Sequence, residues 1–252
     1  YLDWRLYARS DRYYVKRFED ETNLRCHLLL DTSRSMSFGS LAYTKADYAR
    51  TLAATLGYFL YSQRDAVGLV RFDERIDDFI PARYRVGQLR RMMHALEKPA
   101  EGRATNLAVP LDQIAERVHK RGLLVLISDL LAPLDELETK LSYFRARGHE
   151  VVIFQTLDPA ELSLDFDEPA LFEDIESGRE VYVDPELARE SYQQKLQRHL
   201  DQVSEICAKL GIDAWRVMTD VPLEVHLGEF LRSRQRTISR AATRRTGATQ
   251  RH

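Results

Sequence analysis

Short apolar runs alternate along this chain with longer stretches whose apolar residues recur at helical spacing. That is the pattern of a parallel β-sheet covered by helices. Leu24 to Leu30 reads as a strand that runs into Asp31. Ala49, Leu52, Ala53, Leu56, Phe59 and Leu60 then mark one face of a helix expected over Leu41 to Gln63. Ala66 to Phe72 is a second strand. The polar turn Asp73-Glu74 and the extended run Ile76 to Ile80 predict a hairpin that sets an antiparallel strand on the sheet edge. A short helix is expected from about Gly87 to Glu97, and another from about Asn106 to His119, after the loop Pro99 to Thr105.

Leu123 to Ile127 is almost purely aliphatic, as a strand at the buried centre of a parallel sheet should be, and it leads to Asp129. Leu137, Leu141 and Phe144 mark a helix closed by Gly148, and Val151 to Leu157 is the next strand. Between Asp158 and Val183 the periodicity fails. This acidic, proline-containing stretch reads as a loop plus a small hairpin that pairs Phe172-Glu173 with Val181-Tyr182 around Ser177-Gly178. Asp184-Pro185 opens a long helix, Asp as cap and Pro in the first turn. Its inner stripe is Tyr192, Leu196, His199, Val203, Cys207 and Leu210, and Gly211 ends it. Ile212 to Met218 is a last strand, and Pro222 opens a final helix to about Arg232. The expected fold is therefore α/β: a doubly wound, mostly parallel, Rossmann-like sheet with helices on both faces. It carries one antiparallel edge strand and a small β-hairpin insertion at about 158–183. No linker divides the chain, so residues 24–234 form one domain, with an N-terminal extension (1–23) packed on it and a basic tail (235–252).

Composition narrows the function classes. With 44% hydrophobic and 30% charged residues in 252, the chain has the make-up of an ordinary globular domain. The balance of 37 basic against 39 acidic residues leaves a net charge of -2, so no global field points to nucleic acid or a membrane surface. No apolar run approaches the roughly 18–20 residues of a membrane helix. The two cysteines, Cys26 and Cys207, fall on apolar faces and are expected to be reduced core residues, which makes a reducing cytoplasm the simplest location. The chain opens at Tyr1 rather than Met and has no secretory signal pattern, so a preceding stretch is expected to be missing.

In open α/β sheets ligands bind at the C-terminal ends of the strands. Two of the most apolar strands here end in an aspartate, HLLLD at Asp31 and LLVLISD at Asp129. DTSRSM places Ser33 and Ser35 in the turn after the first, and GRATNL puts Thr105 at a helix start between the two. Together these residue types suit a magnesium or manganese ion, which favours compact oxygen ligands in near-octahedral geometry and tends to keep several waters. Serine and threonine hydroxyls bind directly. The aspartates, one step back, accept hydrogen bonds from metal-bound water and fix the hydroxyl rotors. Few anions touch the ion, so it keeps charge with which to take a carboxylate from a partner. D-x-S-x-S alone is a weak signal, since a strand-ending Asp is often only a helix cap. The strand before it, the helix after it, the Gly-x-x-Thr loop and the second strand-ending Asp, in that order, make it specific.

Asp31, Ser33, Ser35, Thr105 and Asp129 resemble the metal-ion-dependent adhesion site (MIDAS) of von Willebrand factor A domains. The resemblance implies direct coordination by Ser33 and Ser35, direct or water-mediated contact by Thr105, and water-mediated contact by Asp31 and Asp129. Asn106 departs from the Asp that many A domains carry after the loop threonine, and so lowers negative charge near the site. More narrowly, LDWRLYARSDRYYVKRFEDETN, LLLDTSRSM, LDPAEL, YVDP and TDVPLEVHLGEFLRSR make the chain similar to the C-terminal domain of the bacterial DUF58 family, up to about Arg234. That likeness implies a von Willebrand factor A-like fold and a protein-protein interaction role rather than catalysis. It also implies a MoxR-type AAA+ ATPase or its client as partner, in assembly or maturation of protein complexes.

Other features read more plainly. The seven histidines are dispersed, without HExxH or a comparable pair. Asp73, Asp77 and Asp78 are expected to be solvated charges, as are Asp165, Asp167 and Glu168 in the insertion. Trp4, Tyr13 and Tyr14 are expected to cover a face of the domain, and the seven arginines from Arg232 onward to be a solvated tail. The main rival is a metal-dependent hydrolase or phosphotransferase with Asp31 as nucleophile. Such enzymes carry a second carboxylate two residues on, where this chain has Ser33. A metal-free scaffold, with the alcohols merely capping helices, is the third reading.

Overall fold

The computed structural model describes residues 24–100, 102, 107–164, 170–173, 180–183 and 185–233. Strands β1 (Arg25–Asp31), β2 (Ala66–Phe72), β3 (Ile76–Arg83), β4 (Leu123–Ser128), β5 (Glu150–Leu157) and β8 (Asp213–Met218) form one sheet in the order β3-β2-β1-β4-β5-β8. All neighbours run parallel except β3, which pairs antiparallel with β2 at the edge. β6 (Ala170–Glu173) and β7 (Glu180–Val183) pair Phe172 with Val181 as a separate antiparallel hairpin, the insertion expected from the sequence.

Alternation along the central strands divides the core in two. Leu28, Leu30, Val125, Ile127, Val152 and Phe154 face one side. There α1 (Lys45–Ser62), α2 (Gln88–Leu96) and the helical residues 223–233 cover them. Leu29, Val70, Leu124, Leu126 and Ile153 face the other side, under α3 (Ala108–Arg117), α4 (Leu134–Ala146) and α6 (Pro185–Leu210). The sheet is thus doubly wound. Successive connections leave β1 toward β2 on one side and reach β4 on the other, so chain direction splits between the tips of β1 and β4, where a ligand crevice belongs.

The structure corrects several details. The first helix begins at Lys45, not Leu41, because Thr44 and Asp47 form a reciprocal capping box that fixes its start. Ahead of it lies a single 3-10 turn, Arg34–Ser37. β3 runs on past Ile80 to Arg83, carrying Pro81 on an edge strand where a missing N–H is tolerated. A short helix, α5 (Pro159–Ser163), occupies the start of the stretch expected to be loop, with Asp158 and Glu161 as its own capping box. Asp78 is paired with Arg71 and Lys98 rather than merely solvated. Both cysteines are buried and free. Residues 1–23, Thr105, Asn106, the acidic residues 165–168 and the tail from 234 lie outside the described residues. No helix among those described is long and apolar enough to cross a membrane.

Candidate metal centre

Four of the five residues singled out by the sequence lie at the tips of β1 and β4. Asp31 is the last residue of β1, Ser33 and Ser35 lie in the loop and 3-10 turn just beyond it, and Asp129 follows β4 directly. Thr105 falls outside the described residues. The Ser33 and Ser35 hydroxyls are 3.1 Å apart. Ser33 is buried and Ser35 half-buried, so the pair sits at the rim of the sheet rather than in its core.

Both aspartates are fully enclosed and held by donors from the chain. The Ser33 backbone N–H donates to Asp31 Oδ1 (2.8 Å), and the Ser128 hydroxyl donates to Asp31 Oδ2 (2.6 Å). The Leu131 N–H donates to Asp129 Oδ1 (3.1 Å), while Lys45 Nζ donates to Asp129 Oδ2 (2.8 Å). Leu130 between them has a positive φ of 58°, a left-handed backbone that costs a non-glycine residue about 1–2 kcal/mol. It is held there by the Ser128 hydroxyl, which accepts from its N–H (3.0 Å), and by His199 Nε2, 2.8 Å from its carbonyl oxygen. A backbone held in a sparsely populated region beside a cluster of charges is a common mark of a functional site.

Burial, and after it the nearby Asp129 carboxylate, pushes the Asp31 carboxyl up to about 6 against the opposing hydrogen bonds from Ser128 and Ser33. Lys45 is the one ammonium in this cluster among the described residues. It is wholly buried and also donates to Glu161 Oε1 at 2.5 Å. Burial works to lower its pKa, but the charges of Asp129 and Glu161 outweigh that and hold it above the ordinary lysine value. Lys45 thus bridges Asp129 and Glu161, while the Asp31 carboxyl, beside Asp129, is held by the Ser33 N–H and the Ser128 hydroxyl.

Sequence reading missed Lys45, Ser128 and Glu161. Lys45 was nonetheless visible: it precedes Ala49, Leu52, Ala53 and Leu56 by about one, two and three turns, on their own apolar stripe. Glu161 was visible as the last member of the capping box that Asp158 begins. Ser128 carried no signal beyond being the last residue of an aliphatic strand. Asp158 is buried close by. It accepts from the Ser40 N–H and hydroxyl and from the Thr219 hydroxyl, and so fastens the loop after the 3-10 turn to the ends of β5 and β8.

Gly102, in the loop that leads to Thr105, lies against the site. A Cβ on Gly102 would stand 2.1 Å from the Thr32 carbonyl oxygen and 2.6 Å from Ser33 Cα, so no other residue fits there. Among the described residues no three His, Cys, Asp or Glu side chains converge as a metal-ligating group.

The sheet order and the two helical layers define the class: a doubly wound α/β domain with a mostly parallel sheet and one antiparallel edge strand. The chain belongs to the family described as Protein of unknown function DUF58, whose model matches residues 1–202. A protein of Mycobacterium tuberculosis is 28% identical over 241 residues, spanning 93% of this chain and 75% of that one. The crystal structure of BatB from Bacteroides thetaiotaomicron matches with a TM-score of 0.55 at 15% identity, covering 87% of this chain and 99% of that one. An aerotolerance-related membrane protein from Bacteroides fragilis matches at 0.52 and 15% identity, covering 77% and 91%. At that identity the likeness speaks for the fold alone.

Proposed function

We propose that this domain is a metal-ion-dependent protein-protein interaction module of MIDAS type, and not an enzyme. The observation that carries the reading is the pair of serine hydroxyls 3.1 Å apart at the strand tips that also carry the enclosed carboxylates of Asp31 and Asp129. Oxygen ligands at about 2.0–2.1 Å in an octahedron have neighbours about 2.9 Å apart, close to the serine separation. The cation proposed is Mg2+ or Mn2+, which the adjacent Asp31 and Asp129 carboxylates would favour. In this reading Ser33 and Ser35 hold the ion with Thr105, which the loop through Gly102 supplies. Asp31 and Asp129 orient the serine hydroxyls and metal-bound water. The ion supplies an electrophilic position open to an Asp or Glu side chain of a partner.

Lys45 neutralises Asp129 from the side away from the solvent and keeps that carboxylate from moving onto the ion. A hydrolase with Asp31 as nucleophile fits less well, because both Asp31 oxygens are occupied by donors and the residue is 1% exposed. The partner we propose is a MoxR-type AAA+ ATPase or its client, in the assembly or maturation of protein complexes. This rests on the family resemblance.

Calorimetric titration with Mn2+ tests the site, and pull-down with a MoxR-type ATPase from the same organism tests the partner. Saturable heat in the wild type, abolished by Asp31→Ala with Ser33→Ala, is expected, as is capture lost in EDTA and restored by Mg2+. Equal heats for both proteins, or undiminished capture in chelator, contradict the reading.

A further inference from the structure

The opposite end of the sheet holds a second candidate site, built from the start of β1 and β2, the end of β3 and the residues after α3. A cavity of about 640 Å³ opens there, within the usual range for small-molecule sites. Five cations line it, Arg25, Arg83, Arg85, Arg117 and Lys120, and no carboxylate does. In a chain of net charge -2 this is a marked local excess of positive charge. None of the five is in a salt bridge among the described residues.

Its floor is an unusual piece of sheet. The β2–β3 register shifts between Val67 and Leu69, where β3 bulges around Pro81-Ala82. Gly68 makes the bulge possible, since a Cβ there would lie 2.5 Å from the Ile80 carbonyl oxygen and 2.6 Å from the Ala82 nitrogen. Gly68 pairs with His27 on β1, and the absent side chain leaves room for the imidazole to reach across it. The Ala82 N–H, turned out of the ladder by the bulge, donates to His27 Nε2 at 3.4 Å. Arg25 is tied to the same residue, its Nη1 donating to the Ala82 carbonyl oxygen at 2.9 Å.

The tautomer follows from that bond. Because Nε2 accepts, the proton of the neutral imidazole sits on Nδ1. His27 is 5% exposed, lines the cavity, and its Nδ1 has no hydrogen-bond partner. Burial, with the charge of Arg25 in support, lowers the imidazole pKa to about 4, so the ring is neutral near pH 7. On the cavity wall the Arg117 guanidinium carbon lies 5.5 Å from the Phe79 ring centroid, within cation–π range, and a guanidinium can take an oxyanion in two-point fashion.

We propose that this cavity binds a small phosphorylated ligand, its phosphoryl oxygens taken by the arginine and lysine side chains, with the His27 ring lying in the cavity lining. The site is separate from the strand tips, and the proposal stands independently of the metal reading. Titration of the full chain with inorganic pyrophosphate and with ADP, at fixed ionic strength, tests it and distinguishes a free phosphate ligand from a nucleotide. A poly-glutamate arm distinguishes an acidic protein partner. Saturable binding of pyrophosphate or ADP is expected, weakened about tenfold or more by Arg117→Gln with Lys120→Gln, whose side chains are exposed and whose loss leaves the fold intact. The His27 Nδ1–H resonance should also move on binding, which diffuse charge attraction would not produce. No saturable binding up to millimolar concentration overturns the proposal. So do affinity unchanged in the double variant, a His27 resonance that stays put, or uptake of poly-glutamate alone.

Discussion

Asp31 is held at a cost that protonation relieves. In the metal-free fold its carboxyl titrates near 6 because it is buried beside Asp129, whereas in an unfolded chain it would titrate near 3.8. Between those values the folded state binds more protons than the unfolded one, so this residue lowers stability as pH rises through the window, and the penalty is complete above pH 6. Asp31→Asn keeps an acceptor for the Ser33 N–H and removes the charge. In EDTA the variant should match the wild type near pH 4 and exceed it by roughly 1–3 kcal/mol above pH 6, as read by urea unfolding at each pH. With excess Mg2+ at pH 7 the order should shrink or reverse. A variant no more stable than the wild type at pH 7 in chelator contradicts this picture of the site. Asp31, Ser33, Ser35 and Asp129 were legible because strand-end carboxylates and turn alcohols fall at fixed places in a βα unit. Lys45 was not read, since a lysine at a helix start is ordinarily a solvated one. Only its place on the apolar stripe marked it, and the acids that justify its burial come from β4 and α5, distant in sequence.

At the scale of elements, the candidate centre depends on three short connections meeting at the β1 and β4 tips. The 3-10 turn carries Ser35, the strained residue Leu130 turns the chain after Asp129, and the Gly102 loop presses on Thr32 and Ser33. Gly102→Ala should force that loop off the serine turn. We expect a loss of roughly 1–3 kcal/mol in denaturant unfolding and a drop of about tenfold or more in Mn2+ affinity, equivalent to about 1.4 kcal/mol. Wild-type values in both would show that the loop does not position the serines. The strands of the sheet were readable almost to the residue, because a buried parallel strand is a continuous apolar run. What the pattern could not give was how the loops end. The start of α1 at Lys45 and the whole of α5 are set by capping boxes, Thr44 with Asp47 and Asp158 with Glu161, in stretches where hydrophobic periodicity says nothing.

Across the whole molecule the sheet separates two chemistries. At the C-terminal ends of its parallel strands lie alcohols and enclosed carboxylates. At the other end, a cavity lined by cations has no carboxylate in its walls. Two electrostatically opposite ends on one rigid sheet suit a domain that meets different partners at each. Topology was foreseeable from the order of strands and helices, including the antiparallel edge. The cationic cavity was not, because its residues come from β1, β3 and the end of α3 and share no sequence spacing.

The most direct test of the central claim is anomalous scattering from a crystal grown in Mn2+. The account predicts a manganese peak bridging Ser33 Oγ and Ser35 Oγ, with Asp31 and Asp129 reaching it through water and a further position open to solvent or a carboxylate. An empty site at saturating manganese, or an ion bound directly by Asp31 and Asp129 with the serines turned away, would contradict it.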